Sequence, residues 1–194
     1  MMEDKEQIPA KPIILLAGPP GAGKSTVASE LVHLSRGQVA CIEGDKFWYF
    51  FAKGWEQTEV AKNFRTLMAS ITAASIPYAR AGYEVIVDFS VPPWFLPTAY
   101  RMASARGLIL HYVIIRPDKE VCAQRVATRP EGAVADYSRF NHLYNSFDEG
   151  TGFTISDNDG SAAAMAARIR DGLDKGLFVV TEQNLPKPKN SVSG

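Results

Sequence analysis

Five short apolar segments alternate along the chain with longer segments in which apolar residues recur at helical spacing. The apolar segments lie near residues 13–17, 38–42, 83–88, 108–115 and 153–155. Runs of this kind are typical of strands that are buried on both faces of a parallel sheet. The longer segments predict helices over residues 24–35, 56–81, 97–106, 118–128, 136–149 and 161–175. This alternation predicts an α/β fold of three layers, in which helices cover both faces of a five-stranded parallel sheet.

The same pattern predicts one domain and two tails. Pro77 lies inside the second helical segment and should kink or split that helix. Residues 177–180 are apolar and should add a last short segment to the domain. We therefore expect a single domain over residues 11–180, with flexible tails at residues 1–10 and 181–194.

Composition narrows the class of protein. The chain has 21 basic and 21 acidic side chains, and this balance disfavours broad binding to nucleic acid or to an acidic membrane surface. No apolar segment approaches the length of a membrane span, and the first residues do not form a secretory leader, so a cytoplasmic protein is expected. Cys41 and Cys122 are predicted to be buried free thiols in a reduced compartment.

A glycine-rich segment joins the first predicted strand to the first predicted helix. Residues 18–25 read Gly-Pro-Pro-Gly-Ala-Gly-Lys-Ser and match the phosphate-binding pattern G-x-x-x-x-G-K-[ST] at every fixed position. Glycines allow such a loop to aim its N–H groups at an anion, at the positive end of the following helix. The alternative is an ordinary glycine turn. The apolar strand and helix on either side favour a nucleotide site formed by Gly18, Gly21, Ala22, Gly23, Lys24, Ser25 and Thr26. Lys24 should reach the outer phosphates, and the Ser25 hydroxyl should bind Mg²⁺.

Two carboxylates follow predicted strands. Asp45 comes after the second strand and Asp88 ends the third. Ligands bind at the carboxyl ends of parallel strands, so both carboxylates, together with Ser90 and Arg116, are expected near the phosphate loop. Asp45 could accept the proton of an acceptor hydroxyl, or it could cap the following helix. Asp88 could hold Mg²⁺, position a substrate or bond a neighbouring loop. The pattern leaves open which of the two carboxylates is the base.

Two arginines precede a flexible segment at residues 130–135. Arg125 and Arg129 are four residues apart and therefore lie on one face of the predicted helix. A closing lid could carry both guanidinium groups onto nucleotide phosphates. The alternative is a solvated helical face. Arg116 is a third candidate.

Aromatic residues are dense at residues 47–51, and Trp55 follows closely. We expect most of this cluster to be core, while Trp48 and Trp94 are kept as candidate contacts of a ligand. His111 lies inside an apolar strand and is interpreted as a core histidine with its hydrogen bonds satisfied. No histidine or cysteine has the spacing of a metal site, so Mg²⁺ is the only metal expected.

These residues, taken in order, resemble a known family. The points of similarity are residues 18–26, Gly44-Asp45, the strand at 82–88, the segment 115–117 with the two arginines after it, and residues 154–156. They resemble the small phosphate-loop kinases related to gluconate kinase, shikimate kinase and chloramphenicol phosphotransferase, over residues 11–176. The resemblance implies strand order 2-3-1-4-5, ATP as phosphoryl donor, a lid around residues 125–136 and an adenine-bordering loop at residues 154–157.

The resemblance also implies that Asp45 contacts the acceptor hydroxyl. Two departures limit the transfer of a substrate. Phe47 stands where shikimate kinases carry a second carboxylate, and the histidine that follows the Gly-Asp pair in gluconate kinases is absent. The acceptor is therefore not carried over.

The sequence thus leads to the hypothesis of an ATP- and Mg²⁺-dependent kinase, monomeric or weakly dimeric, that phosphorylates a hydroxyl of a small molecule. Lys24, Asp45, Arg125 and Arg129 are its predicted catalytic residues, Arg125 also binds the nucleotide, and Ser25 and Asp88 are the predicted Mg²⁺ ligands. One alternative keeps the fold but phosphorylates a nucleoside, a nucleotide or a polynucleotide 5′-hydroxyl. Another is a regulatory module that binds ATP without being a kinase.

Overall fold

The computed structural model describes residues 8–53, 60–130, 132–156 and 160–186. Within these ranges five strands form one parallel sheet: β1 Ile13–Ala17, β2 Val39–Glu43, β3 Glu84–Asp88, β4 Leu110–Ile115 and β5 Thr154–Ile155. The strands lie in the order β2-β3-β1-β4-β5. This order confirms both the predicted parallel sheet and the topology that the resemblance implied.

Six α-helices surround the sheet in the described part of the chain: α1 Lys24–Leu34, α2 Val60–Arg80, α3 Leu96–Ser104, α4 Lys119–Ala127, α5 Asn141–Ser146 and α6 Ala162–Asp174. Shorter 3₁₀ helices lie at Gly44–Phe50, Pro93–Phe95, Tyr137–Phe140, Phe147–Phe153 and Glu182–Asn184. In the ranges described, no helix is both long and apolar enough to cross a bilayer.

Successive residues of β1 face opposite sides of the sheet and build two cores. Ile13 and Leu15 pack with the side chains of α2 and α3, whereas Ile14 and Leu16 pack with those of α1 and α6. All of β1 is buried because the strand has a paired neighbour on each edge and a helical layer on each face. This is the burial that a continuous apolar run predicts.

Two predicted helices differ from the structure. Helix α2 continues through Pro77 to Arg80 and is therefore not split there, whereas the predicted kink stays a prediction; the proline lies in the last turn, where little helix follows it. The start predicted for this helix, at residue 56, lies outside the described residues. The helix predicted over residues 136–149 is instead a series of short helices, with α5 between two 3₁₀ segments.

The environment of two side chains was also predicted wrongly. Cys41 is exposed, because β2 is an edge strand that is only partly covered, whereas Cys122 is buried as expected. His111 is buried, but its Nδ1 has no hydrogen-bond partner among the described residues. Burial also lowers the pKa of this imidazole.

The chain after α6 is more ordered than the predicted tail. Residues 177–180 dock antiparallel on the first half of β4, where the Val180 N–H donates to the Leu110 carbonyl at 2.8 Å. The first residues of the expected flexible tail form the 3₁₀ helix Glu182–Asn184 instead. Thr181 and Asn184 close a reciprocal capping box at its start, which satisfies the free N–H groups of that end.

A partly buried ion pair ties α6 to the sheet and to the end of α1. The Arg170 guanidinium donates to both carboxylate oxygens of Glu84, at 2.7 and 2.8 Å, and to the Ser35 hydroxyl at 2.8 Å. Burial alone would raise the pKa of Glu84, but the hydrogen bonds from Arg170 and Ser35 outweigh it and lower that pKa from 4.5. The charged form of Glu84 therefore stabilises the fold.

Replacing Arg170 with methionine should lower the free energy of unfolding by about 2–3 kcal/mol near pH 7, because Glu84 loses its charged partner. The matched control is Lys175→Met, which removes an exposed ion pair with Asp171 and should cost less than about 0.5 kcal/mol. Since the folded pKa of Glu84 is lowered, its contribution is complete above pH 4.5 and is lost as the pH falls below that value. Urea unfolding near neutral pH and at acidic pH measures both effects. Equal destabilisation by the two variants at neutral pH would contradict the assignment.

Candidate functional site

The glycine-rich loop turns sharply between β1 and α1. Gly18, Gly21 and Gly23 have positive φ angles of 141°, 82° and 92°. A Cβ at Gly18 would collide with the Ile115 carbonyl oxygen, and one at Gly21 would collide with the Cys122 carbonyl oxygen. The loop therefore requires glycine for its backbone angles and, at Gly18 and Gly21, also for its close approach to these carbonyl oxygens.

The loop is closed by contacts within itself. The Ala22 N–H donates to the Pro19 carbonyl at 3.1 Å, and the Lys24 ammonium donates to the same carbonyl, also at 3.1 Å. Ala22 is buried and its N–H donates within the loop, so its contact with a phosphate stays a prediction. Lys24, Ser25 and Thr26 begin α1, so their N–H groups lie at its positive end.

Strand register brings the two carboxylates to this loop. Asp88 is paired with Leu16 of β1 on one side and with Glu43 of β2 on the other. A side-chain hydrogen bond joins Asp88 to Ser25, the first-turn serine of α1. Asp88 is thus held beside the loop, at the edge of the sheet where the topology predicted it.

Asp45 follows β2 on the 3₁₀ helix Gly44–Phe50. Gly44 lies against the Phe89 ring, and a Cβ on it would be only 2.5–2.6 Å from the ring atoms. This contact fixes the chain just before Asp45. The Asp45 side chain is exposed and lines the cleft above the loop.

Charges at the loop influence one another. Burial lowers the pKa of the Lys24 amine, while the carboxylates of Asp88 and Asp45 act in the opposite direction. Burial raises the pKa of Asp88, and its hydrogen bond with Ser25 and the charge of Lys24 oppose that shift. A lysine and an aspartate therefore share one desolvated corner, where a phosphate or a cation would bind strongly.

The last turn of α4 and the segment that follows it contact the loop. The Arg125 guanidinium lies 3.5 Å from the Ala22 carbonyl, and the Tyr137 hydroxyl donates to the Pro20 carbonyl at 2.8 Å. The charge of Arg129 also acts on Lys24. The two predicted arginines thus stand over the loop, where Tyr137, which the sequence analysis missed, helps to hold their segment.

A single cleft of about 1370 Å³ brings most of the predicted residues together. Its lining includes Gly21, Gly23, Lys24, Ser25, Thr26, Asp45, Asp88, Ser90, Arg125, Arg129, Trp48 and Trp94. Gly18 and Ala22 do not line it. Arg116 does not line it either: its guanidinium pairs with Asp148 and lies 4.3 Å from the centroid of the Tyr144 ring.

The cleft also contains cationic residues that the sequence analysis missed. Arg65 of α2 lies with its Cζ 4.8 Å from the centre of the Trp94 ring, and Arg139 lies at the same distance from Phe140. His142 also lines the cleft. The apolar periodicity of α2 predicted a core face and gave no reason to single out its exposed arginine.

The aromatic cluster at residues 47–51 is divided between core and surface. Phe47, Trp48 and Phe51 pack against the core, whereas Tyr49 and Phe50 are 87% and 79% exposed. The expectation that most of the cluster is core therefore fails for Tyr49 and Phe50. Trp55 lies outside the described residues. Trp48, Phe64 and Trp94 form one aromatic wall, with ring centroids 6.3 and 6.5 Å apart.

The parts of this cleft divide by chemistry. The loop, Lys24 and the two arginines at the end of α4 and just beyond it suit a polyphosphate, because they combine N–H groups at a helix terminus with guanidinium groups. Ser25 and Asp88 offer two hydrogen-bonded oxygens beside that position and fit Mg²⁺, which needs only one or two protein ligands besides phosphates and water. The aromatic wall and Arg65 form the other side of the cleft.

Strand order 2-3-1-4-5, with a G-x-x-x-x-G-K-S loop between β1 and α1, defines a P-loop protein. The chain belongs to the AAA domain family, whose model matches residues 13–149. A search of curated proteins found no match to the chain.

Solved structures of P-loop kinases share the fold. The APS kinase of Mycobacterium tuberculosis, solved with AMPPNP and APS, has a TM-score of 0.63 and 18% identity, over 86% of this chain and 99% of that one. The tunicamycin resistance protein of Deinococcus radiodurans has a TM-score of 0.64 and 18% identity, over 88% and 99% of the two chains. Shikimate kinase of Acinetobacter baumannii, solved with shikimate, has a TM-score of 0.60 and 21% identity, over 86% and 94%. At these identities the likeness establishes the fold alone.

Proposed function

We propose that this protein is an ATP-dependent kinase that transfers the γ-phosphoryl group to a hydroxyl of a small molecule. The observation that carries the proposal is the single cleft in which Lys24, Asp45 and Asp88 meet Arg125 and Arg129. Phosphoryl transfer needs a phosphate cradle, a cation site, positive charge over the transferred group and an acceptor for a proton. Each of these has a candidate side chain in this cleft. The nucleotide-bound APS kinase of similar fold supports ATP as the donor.

The donor side is assigned to the loop and its neighbours. N–H groups at the start of α1 and the Lys24 ammonium bind the outer phosphates, and Arg125 at the end of α4 and Arg129 just beyond it approach the same phosphates. Ser25 and Asp88 would hold Mg²⁺, which would neutralise charge on the phosphates. Lys24 is half-buried, so its charge acts on the phosphates with little screening by water.

The transfer itself exchanges one phosphorus–oxygen bond for another. The acceptor hydroxyl oxygen forms a bond to the γ-phosphorus, while the bond from that phosphorus to the oxygen bridging the β- and γ-phosphates breaks, and ADP leaves. The hydroxyl proton passes to the Asp45 carboxylate, which lines the cleft and is exposed to an incoming alcohol. Asp88 is hydrogen-bonded to Ser25 and buried, so we assign it to the cation rather than to this proton.

The acceptor side favours an anionic alcohol. Arg65 and Arg139 both line the cleft, and each guanidinium lies over an aromatic ring, although the charge of Arg139 also acts on the Asp136 carboxylate. The aromatic wall of Trp48, Phe64 and Trp94 offers flat apolar surface beside them. A hydroxylated molecule that carries a carboxylate, sulfate or phosphate group would meet all three features.

Release of ADP from Mg·ATP, with and without a panel of acceptors, tests the proposal. The panel contains neutral sugars, sugar acids, other hydroxy acids, nucleosides and nucleoside monophosphates. We expect stimulation by anionic members, and we expect Arg65→Gln to raise the KM for them about 10- to 100-fold through loss of a charged hydrogen bond. Arg106→Gln, at an exposed site outside the cleft, is the matched control. If neutral sugars stimulate and Arg65→Gln changes no KM, the anionic acceptor is wrong. If ATP binds but no acceptor stimulates ADP release, the protein does not phosphorylate the compounds of this panel. The alternative of a regulatory module that binds ATP is then favoured.

A further inference from the structure

A second cavity of about 960 Å³ adjoins the cleft, and the kinase proposal makes no use of it. Trp94, His142 and Ser146 line both spaces, so these three side chains form the boundary between them. The Arg65 guanidinium lies over the Trp94 ring and also lines the cleft. A ligand that passes this boundary therefore contacts both spaces at once.

The walls of this side cavity come from three parts of the fold. α3 contributes Tyr100, α5 contributes Asn145, and the chain beyond the last 3₁₀ helix contributes Leu185. Tyr100 and Leu185 are partly buried and also pack against the main core. The aromatic ring and the leucine give the cavity apolar surface, and Arg101 and Glu182 add charged groups to its lining.

The wall formed by Leu185 is held in place by specific hydrogen bonds. The Asn184 amide donates to the Val179 carbonyl at 2.8 Å, and the Thr181 N–H donates to the Asn184 side-chain oxygen at 2.8 Å. Val179 itself bridges to His111 of β4. Because this segment is anchored to the sheet, the side cavity is formed in advance of any ligand, which lowers the entropic cost of binding there.

We propose that the side cavity binds the part of the acceptor that lies farthest from the reacting hydroxyl. The acceptor is then an extended alcohol, with its hydroxyl at Asp45, its anionic group near Arg65 and an apolar ring or chain beyond Trp94. The volume of the cavity falls in the range of about 300–1000 Å³ that is usual for drug-sized ligands, so a second ring or a short chain fits. This inference rests on the proposed kinase function, and it predicts that, among the anionic alcohols that stimulate turnover, an extended one is a better acceptor than a short polyol acid.

Asn145→Trp tests the inference, because this residue lines the side cavity but not the cleft, and an indole there obstructs part of the space. The control is Ala163→Trp, at an exposed position of α6 that lines neither space. Acceptor turnover is compared for a short alcohol and for the same alcohol carrying an aryl or alkyl extension. We expect Asn145→Trp to reduce kcat/KM for the extended alcohol at least tenfold more than for the short one. Equal effects on both alcohols, or no effect on the extended one, would overturn the proposal.

A binding measurement separates failure of this inference from failure of the kinase proposal. Anilinonaphthalene sulfonate, an anionic aromatic probe, is titrated into each variant with saturating Mg·ADP present. We expect the wild type and Ala163→Trp to bind one probe molecule, and Asn145→Trp to bind it at least tenfold more weakly. If no alcohol supports turnover, the kinase proposal has failed, and this titration alone decides whether the cavity binds an apolar group. Equal binding by all three proteins would show that it does not.

Discussion

Replacement of Lys24 with methionine should reduce acceptor-stimulated ADP release by about 10²- to 10³-fold or more, the usual loss when a well-placed electrostatic donor is removed. The Lys24 ammonium is half-buried at the start of α1; burial lowers its pKa, and the nearby carboxylates of Asp88 and Asp45 oppose that shift. Methionine keeps the apolar stem and removes the charge. The loss should therefore appear in kcat and in ATP affinity.

The fold should survive this change. The Lys24 side chain donates a hydrogen bond to the Pro19 carbonyl, and the loss of this bond should cost about 1 kcal/mol. Thermal unfolding of the purified variant checks this, and Lys175→Met is the control for loss of a lysine elsewhere. Turnover by Lys24→Met close to that of the wild type would refute the phosphate site. If Lys24→Met unfolds, isothermal titration of ATP into Lys24→Arg is the test instead. This variant keeps the charge but changes its position.

The loop and the two carboxylates could be placed from sequence because their positions depend on local order and on topology. Glycines at positive φ angles are specified by the pattern itself, as at Gly21 and Gly23. Asp45 and Asp88 are 43 residues apart in number but follow neighbouring strands, and a parallel sheet brings such residues to one edge. Knowledge of the strand order was therefore enough to predict that these two carboxylates lie close together.

The acceptor side could not be placed in this way, because it depends on contacts between side chains of different elements. Arg65 is positioned by its contact with the ring of Trp94, which lies in the segment after β3. The sequence around either residue does not predict this contact. The sequence pattern predicted Tyr137 to be one apolar position of a long helix, whereas its hydroxyl donates a hydrogen bond to the Pro20 carbonyl of the phosphate loop. A helical pattern predicts which face of a helix is apolar, but it does not predict which residues of other elements that helix contacts.

The prediction for residues 136–149 failed for a related reason. Aromatic residues at mostly helical spacing suggested one helix, but Tyr137 and Tyr144 direct their hydroxyls to two separate carbonyls, those of Pro20 and Pro117. The chain forms these contacts with short 3₁₀ and α segments rather than one straight helix. Tertiary hydrogen bonds therefore outweighed the weak preference for a continuous helix.

The second large effect is expected at Asp45, which we assign as the acceptor of the hydroxyl proton. Asp45→Asn should lower kcat by about 10²- to 10⁴-fold, the range usual for a general base, while ATP binding and the Mg²⁺ requirement remain close to those of the wild type. Asparagine has nearly the same shape as aspartate but cannot take the hydroxyl proton. Asp45 lines the cleft and is exposed to the incoming alcohol, which is why its loss should affect the chemical step.

Asp88→Asn is the matched comparison, because it makes the same change at the carboxylate that is bonded to Ser25. This variant should need more Mg²⁺ for half-maximal turnover, a shift that Asp45→Asn should not show. Burial raises the pKa of Asp88, so in the wild type the Mg²⁺ requirement should increase as the pH falls toward that raised pKa, and Asp88→Asn should lose this dependence. Steady-state kinetics across Mg²⁺ concentration and pH measure both effects. If Asp88→Asn loses kcat at saturating Mg²⁺ while Asp45→Asn keeps it, the two roles are reversed and Asp88 is the base.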